Sequence, residues 1–183
     1  MKFTKMHGLG NDYLYVYGEV PGNAAELSKK LSERHLGAGS DGMIYISKSS
    51  IADFKMRIFN ADGSEAKMCG NGIRCVGKYV YDKGYTDKKF LSIETLSGVK
   101  YLTLQIVGGK VKNITVDMGQ AEAEKAMNLT VDGETVSLFP VSVGNPHAVI
   151  FVDDIEKAPL TKLGPIIEHH EAFPDGVNVE FVE

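Results

Sequence analysis

The sequence predicts an α+β fold in which short strands outnumber helices, and three observations carry that expectation. Apolar and polar residues alternate with period two through several segments. Glycine-bearing turns separate consecutive alternating runs in the middle of the chain. Two stretches instead keep helical spacing, each with its own start and stop signals.

In chain order, Leu14 and Val16 alternate with Tyr13, Tyr15 and Tyr17 in an early strand. A helix is expected from Ala24 to Arg34, with Ala24, Leu27 and Leu31 on one face. Asn23 is placed to cap it, Glu26 completes a capping-box spacing, and Gly37 is placed to end it. The stretch Gly37-Ala-Gly39-Ser-Asp-Gly42 lacks the Gly-Lys-Ser/Thr ending of a phosphate loop and reads as a tight turn between helix and strand. Phe54, Met56 and Ile58 alternate with Lys55 and Arg57 in a further strand. The second helix opens just after Cys69 and runs to Asp82, with Ile73, Val76 and Val80 along one side and Gly84 as its stop.

From Phe90 to Met118 a meander is expected, turning at Ser97-Gly98 and at Gly108-Gly109. Residues 119–134 are polar and read as a linker into a second unit. Strands return at Val136–Val143 and Ala148–Val152. A helical piece follows over Leu160–His169, interrupted at Gly164-Pro165, and then a strand over Val177–Phe181. The expected division is 1–118 and 119–183.

With 43% hydrophobic and 24% charged residues in 183, the composition is that of an ordinary globular chain able to bury a core without disulfides or metal. A net charge of −4 favours neither nucleic acid nor an acidic membrane surface. No apolar run resembles a signal peptide or a transmembrane helix, so the cytoplasm is the expected compartment. Cys69 and Cys75 diverge by roughly 120° on a helix, which disfavours both a disulfide and a shared metal. His169-His170-Glu171 reads as a solvated face, and no metal is expected.

The most informative stretch is Asn60-Ala-Asp-Gly-Ser-Glu-Ala-Lys-Met-Cys69-Gly-Asn-Gly-Ile-Arg-Cys75. A polar loop after a strand delivers a cysteine to the start of a helix. Free N–H groups and the positive end of the helix dipole meet there and favour a thiolate. Gly70 and Gly72 let the backbone approach a ligand, and their amides can cradle a carboxylate. A thiol beside such a nest suits proton abstraction next to a carboxylate. Most cysteines are small buried hydrophobes, and Cys75, inside the helix beside Val76, keeps that reading.

The same stretch closely resembles the first-half active-site motif of the diaminopimelate epimerases. Met6-His-Gly-Leu-Gly-Asn11-Asp resembles the family's N-terminal signature, and Val143-Gly-Asn145-Pro-His147 and Gly176-Val-Asn178 resemble two later segments, in the expected order. The resemblance implies a diaminopimelate epimerase-like fold: two pseudo-symmetric halves, each a curved, mostly antiparallel sheet wrapped around a central helix. It implies interconversion of LL- and meso-diaminopimelate at the α-carbon, in lysine and cell-wall precursor biosynthesis, by two thiols and without pyridoxal phosphate or any other cofactor. Cys69 matches the first-half thiol. Asn11, Asn60, Asn145 and Asn178 match substrate contacts, Gly70 and Asn71 match the nest for the reacting carboxylate, and His147 matches a residue that tunes the thiols' protonation. A neutral amide both donates and accepts, so asparagines can read an ammonium and a carboxylate together.

The chain departs from a common family form at Gly42, where many members carry a polar side chain. It also lacks the family's second Cys-Gly motif. The second half is therefore expected to be truncated, to expose apolar sheet surface, and to leave the chain by itself inactive or nearly so. A homodimer is compatible with the sequence. A same-fold isomerase of the phenazine type does not use this cysteine, and the proline racemases need no distal contacts such as Asn11 and Asn178. A non-catalytic fragment that binds a small amino acid is the remaining alternative.

Overall fold

The computed structural model describes residues 1–183 and divides into two compact units, Met1–Met118 and Gly119–Glu183. The first unit holds β1 (Thr4–Gly8), β2 (Asn11–Tyr17), α1 (Ala24–Ser32), β3 (Gly42–Ser47), β4 (Phe54–Asn60), β5 (Glu65–Ala66), α2 (Gly70–Asp82), β6 (Phe90–Thr95), β7 (Gly98–Val107) and β8 (Lys110–Asp117). Its sheet runs β1-β2-β3-β4-β6-β7-β8, with β5 paired to β4. Most pairs are antiparallel. The two parallel ones, β2 with β3 and β4 with β6, are each bridged by a helix, α1 and α2 respectively, as a parallel pair requires.

Period-two alternation gives this sheet two buried faces. One face carries Tyr13, Tyr15, Ile44, Ile46, Met56 and Ile58, and meets Ile73, Val76 and Val80 of α2. The other carries Leu14, Val16, Met43, Tyr45 and Phe59, and meets Ala24, Leu27 and Leu31 of α1. Helix α2 packs against β1 and β2 at one end of the strand order and against β7 and β8 at the other, so the sheet curls around it. Gly77 permits this approach, since a Cβ there would stand 2.8 Å from Leu102 Cδ2.

The second unit holds β9 (Glu122–Ala123), β10 (Met127–Val131), β11 (Glu134–Ser142), β12 (Pro146–Phe151), a 3₁₀ turn (Ile155–Lys157), α3 (Leu160–Glu168) and β13 (Asn178–Val182). Its sheet runs β10-β11-β12-β13, with β9 on β11, and α3 bridges the parallel pair β12–β13. Leu163 and Ile167 of α3 pack on Leu129, Leu138, Ala148 and Ile150. Phe139 and Phe151 lie on the opposite face, rings edge to face at 5.6 Å, 38% and 64% exposed. No helix in the chain is long and apolar enough to cross a membrane.

Several local expectations need correction. Residues 119–134 are not a linker: Met127, Leu129 and Val131 alternate into the core as β10, which forms a hairpin with β11. Helix α1 stops at Ser32 rather than Arg34, and Asn23 makes no side-chain cap bond, so no capping box forms. The chain closes there through backbone bonds from Gly37 to Glu33 and from Ala38 to Leu31. The β6–β7 turn lies one residue early, at Leu96-Ser97, because Thr95 pairs with Gly98. Helix α3 is continuous through Pro165. Proline's fixed φ suits a helix and removes only one bond, while buried Leu163 and Ile167 hold both sides of it. β1, in which half-buried and exposed residues alternate, gave too weak an apolar signal to read.

Candidate active site

The site is built where β4 hands the chain to α2. Helix α2 starts at Gly70, as the sequence predicts, and Cys69 is its N-cap in an extended conformation. The Cys69 sulfur accepts a hydrogen bond from the Gly72 amide at 3.3 Å, in the position usually filled by a capping oxygen. The Gly70 and Asn71 amides open the helix, where no intrahelical acceptor exists. A Cβ on Gly72 would stand 2.7 Å from Ile44 Cδ1, so a side chain there would force Ile44 to shift. A half-exposed sulfur thus faces a helix N-terminus and its unpaired donors.

A second element closes on this position. β1 and β2 form a hairpin in which Gly8 pairs with Asn11 across the two-residue turn Leu9-Gly10, both turn residues with positive φ (55° and 90°). The tip brings Asn11 Oδ1 to 3.4 Å from Cys69, whose S–H donates to it. The other end of that amide is held. Asn11 Nδ2 donates to Asp41 Oδ2 at 2.8 Å, and the same oxygen accepts from the Asp12 amide at 2.9 Å. Arg34 donates to Asp41 Oδ1 at 2.9 Å and to Asp12 Oδ1 at 3.2 Å, and Lys5 lies 3.0 Å from Asp12. Burial alone raises the Asp12 carboxyl, but Lys5 and Arg34 outweigh it and hold it below its ordinary range.

The predicted residues of this unit are gathered at one end of its sheet. Asn60 ends β4 opposite Gly42 and is tied to the same corner by the Ala61 amide, which donates to the Asp41 carbonyl at 2.8 Å. Its side chain works within its own turn, Nδ2 donating to Ser64 Oγ at 3.0 Å. The Asn71 side-chain oxygen accepts from Arg74, so only its backbone N–H faces the nest. Cys75 is buried beside Tyr15, and burial pushes its thiol up, with Tyr15 and Arg74 acting in the opposite direction.

In the second unit, His147 and Asn178 are register partners on β12 and β13. Asn178 Nδ2 donates to the Pro146 carbonyl at 2.9 Å, pinning the start of β12. His147 Nδ1 sits within hydrogen-bond distance of Glu180 Oε1, at 2.6 Å. The outer atoms of that pair, His147 Nε2 and Glu180 Oε2, are buried without a partner. Asn145 is exposed in the β11–β12 turn. His170 Nδ1 accepts from the Ala172 amide at 3.1 Å, and no group of three or more His, Cys, Asp or Glu converges for a metal.

Sequence reasoning missed Arg34, Asp41 and Glu180. A signal existed for one of them. Glu180 is two residues beyond Asn178, so strand alternation puts it beside a predicted residue on the same face.

The chain matches the family described as diaminopimelate epimerase over residues 3–124 and 139–183. It is 50% identical to the diaminopimelate epimerase of Acetivibrio thermocellus, over all of this chain and 71% of that protein. It is 51% identical to that of Methanococcus maripaludis, over all of this chain and 72% of that protein. Among solved structures, it superposes on a hydroxyproline epimerase from Agrobacterium vitis with bound trans-4-hydroxy-L-proline, at TM-score 0.71 and 18% identity, covering 99% of this chain and 66% of that one. A phenazine biosynthesis protein of the PhzF family from Bacillus anthracis gives TM-score 0.69 at 17% identity, covering 96% and 65%. The chain thus spans just under two thirds of those two solved chains. At such identities the superpositions speak for the fold alone, and that fold is the α+β one with curled sheets that the sequence predicts.

Proposed function

The chain belongs to the diaminopimelate epimerase family, a family of isomerases, and from that premise we propose that Cys69 is one of two thiols that invert an α-carbon of diaminopimelate. The observation that carries this is the N-cap position of Cys69, where a sulfur replaces the usual capping oxygen. As thiolate, Cys69 takes the α-proton from one face. The carbanion that forms is delocalised into the adjacent carboxylate, and the Gly70 and Asn71 amides at the positive end of α2 face the charge that builds there. A second thiol returns a proton on the opposite face. Cys75 does not suit that part, being buried among apolar side chains, so these residues supply one of the pair and by themselves invert little or no substrate.

Asn11, Asn60, Asn145 and Asn178 are the proposed contacts to the substrate's polar groups, with His147 in the proposed role of tuning thiol protonation. The chemistry uses the protein's own side chains and calls on no cofactor. Lysine and cell-wall precursor synthesis, a cytoplasmic setting and a homodimer complete the proposal.

Deuterium wash-in at the α-carbon of LL-diaminopimelate in D2O, with reducing agent present, tests the role of Cys69. Exchange is expected with the wild-type chain and is abolished in Cys69→Ala. Equal exchange in both proteins would remove Cys69 from the mechanism.

A further inference from the structure

β12 and β13 bring a carboxylate to a histidine ring on the side of their sheet turned away from α3. Ala148 and Ile150 belong to the core of the second unit, and Val179 and Phe181 pack against it. Strand alternation therefore sends His147 and Glu180 to the other face. The parallel register sets Asn178 beside His147 and Glu180 beside Val149. Glu180 reaches back along the diagonal, and its Oε1 stands 2.6 Å from His147 Nδ1.

Two observations place the hydrogen of the neutral ring. An ionised carboxylate carries acceptors only, so a contact this short calls for a hydrogen on Nδ1. With the hydrogen on Nε2 instead, two lone pairs would face each other. Nε2 itself is buried with no hydrogen-bond partner. A hydrogen there would be a buried donor with no acceptor, so both ends of the ring would be at a loss. Asn178 does not supply the difference, since its Nδ2 donates to the Pro146 carbonyl at 2.9 Å.

We propose that Glu180 is a positioning residue that holds the neutral His147 ring in its Nδ1–H form and leaves Nε2 as the one atom at which the ring takes up and returns a proton. The hydrogen bond made by one ring nitrogen sets the protonation of the other. The lone pair on Nε2 accepts the proton, the Nδ1–H keeps its bond to Glu180, and the new N–H bond breaks when the proton leaves. The proposal deepens the reading of His147 as the residue that tunes thiol protonation, and it rests on that reading for its bearing on the reaction.

Proton–nitrogen correlation spectra through two bonds, on isotope-labelled chain at a pH high enough for a neutral ring, read which ring nitrogen carries the hydrogen. The ring signals missing from His147→Gln identify this residue among the five histidines. In the wild-type chain Nδ1 is expected to be protonated and Nε2 bare. In Glu180→Ala that preference should be lost, with most of the population moving to the Nε2–H form that imidazoles favour in water. Asn178→Ala frees the start of β12 but leaves the carboxylate, and should keep the wild-type pattern. A merely structural role of Glu180 would move both variants alike. An Nε2–H ring in the wild-type chain, a result that depends on no variant folding, would overturn the proposal. So would an unchanged pattern in Glu180→Ala or an equal shift in Asn178→Ala. Because the spectra need neither substrate nor a reacting thiol, their failure is separate from a failure of deuterium exchange.

Discussion

The two units are built alike up to a point and then diverge. Each has parallel strands bridged by a helix that covers one face of a sheet. The first unit covers both faces, with α1 on one and α2 on the other. The second covers one, with α3, while the face that carries His147, Glu180, Phe139 and Phe151 has no helix of its own unit against it. The difference teaches what a covering helix contributes. In the first unit α2 closes a core, and it also brings a thiol, a helix dipole and a nest of amides to the sheet's end. In the second unit the sheet-borne groups stand alone, and the His147–Glu180 pair keeps two buried polar atoms without partners. Such atoms are costly when left unpaired.

The comparison can be broken most severely in the first core. Ile73 of α2 is 0% exposed. Ile73→Ala should cost about 2–5 kcal/mol, read as a lowered urea midpoint, and should slow Cys69 alkylation as α2 loosens. A loss below about 1 kcal/mol would mean that the helix is not held by this face.

Acid titration makes a smaller break. Asp82 at the end of α2 pairs with Lys78 at 2.8 Å and accepts from the Val111 amide at 3.0 Å. Burial raises its carboxyl, but these two partners outweigh it and hold it below the ordinary value. A carboxylate lowered in the folded state stabilises fully above its unfolded value near 4 and loses that contribution as pH falls through the folded value. Asp53, bound by Lys88 and Ser92, is lowered in the same way. Stability of the first unit should therefore decline below about pH 4. Asp82→Asn should cost about 1–2 kcal/mol at pH 7 and flatten that decline. An unchanged acid slope would show that the Lys78–Asp82–Val111 tie contributes nothing.

The smallest effect on stability is expected on the open face of the second unit. Phe151→Gln should shift stability by no more than about 0.5 kcal/mol. It should reduce any rise of apparent mass with concentration in sedimentation, because an exposed aromatic pair favours self-association. A loss of several kcal/mol would contradict the picture of an uncovered face and erase the contrast between the units.

Local signals were legible wherever the decisive neighbours lie close in sequence. Helix α2 starts after Cys69 and ends before Gly84, whose φ of +77° stops it, and the spacing of Ile73, Val76 and Val80 gave its buried side. The Phe90–Met118 meander showed in its glycines. The hairpin of β10 was obscured because three alternating apolar residues sit among polar ones, and only pairing with β11 buries them. The cap at Asn23 failed for the converse reason, since spacing permits a capping box but does not enforce it.

The residues alone determined that a cysteine would stand at a helix N-terminus beside glycine amides, because an N-cap and its first turn are made by consecutive residues. They also determined the family, because four separated motifs keep their order. Only the tertiary structure decided what surrounds that sulfur. Asn11 Oδ1 arrives from 58 positions away, and Asp41 and Arg34 fix its orientation. Those contacts depend on strand register and on the curl of the sheet around α2. Both come from burying two faces at once, a condition that no short stretch of sequence expresses.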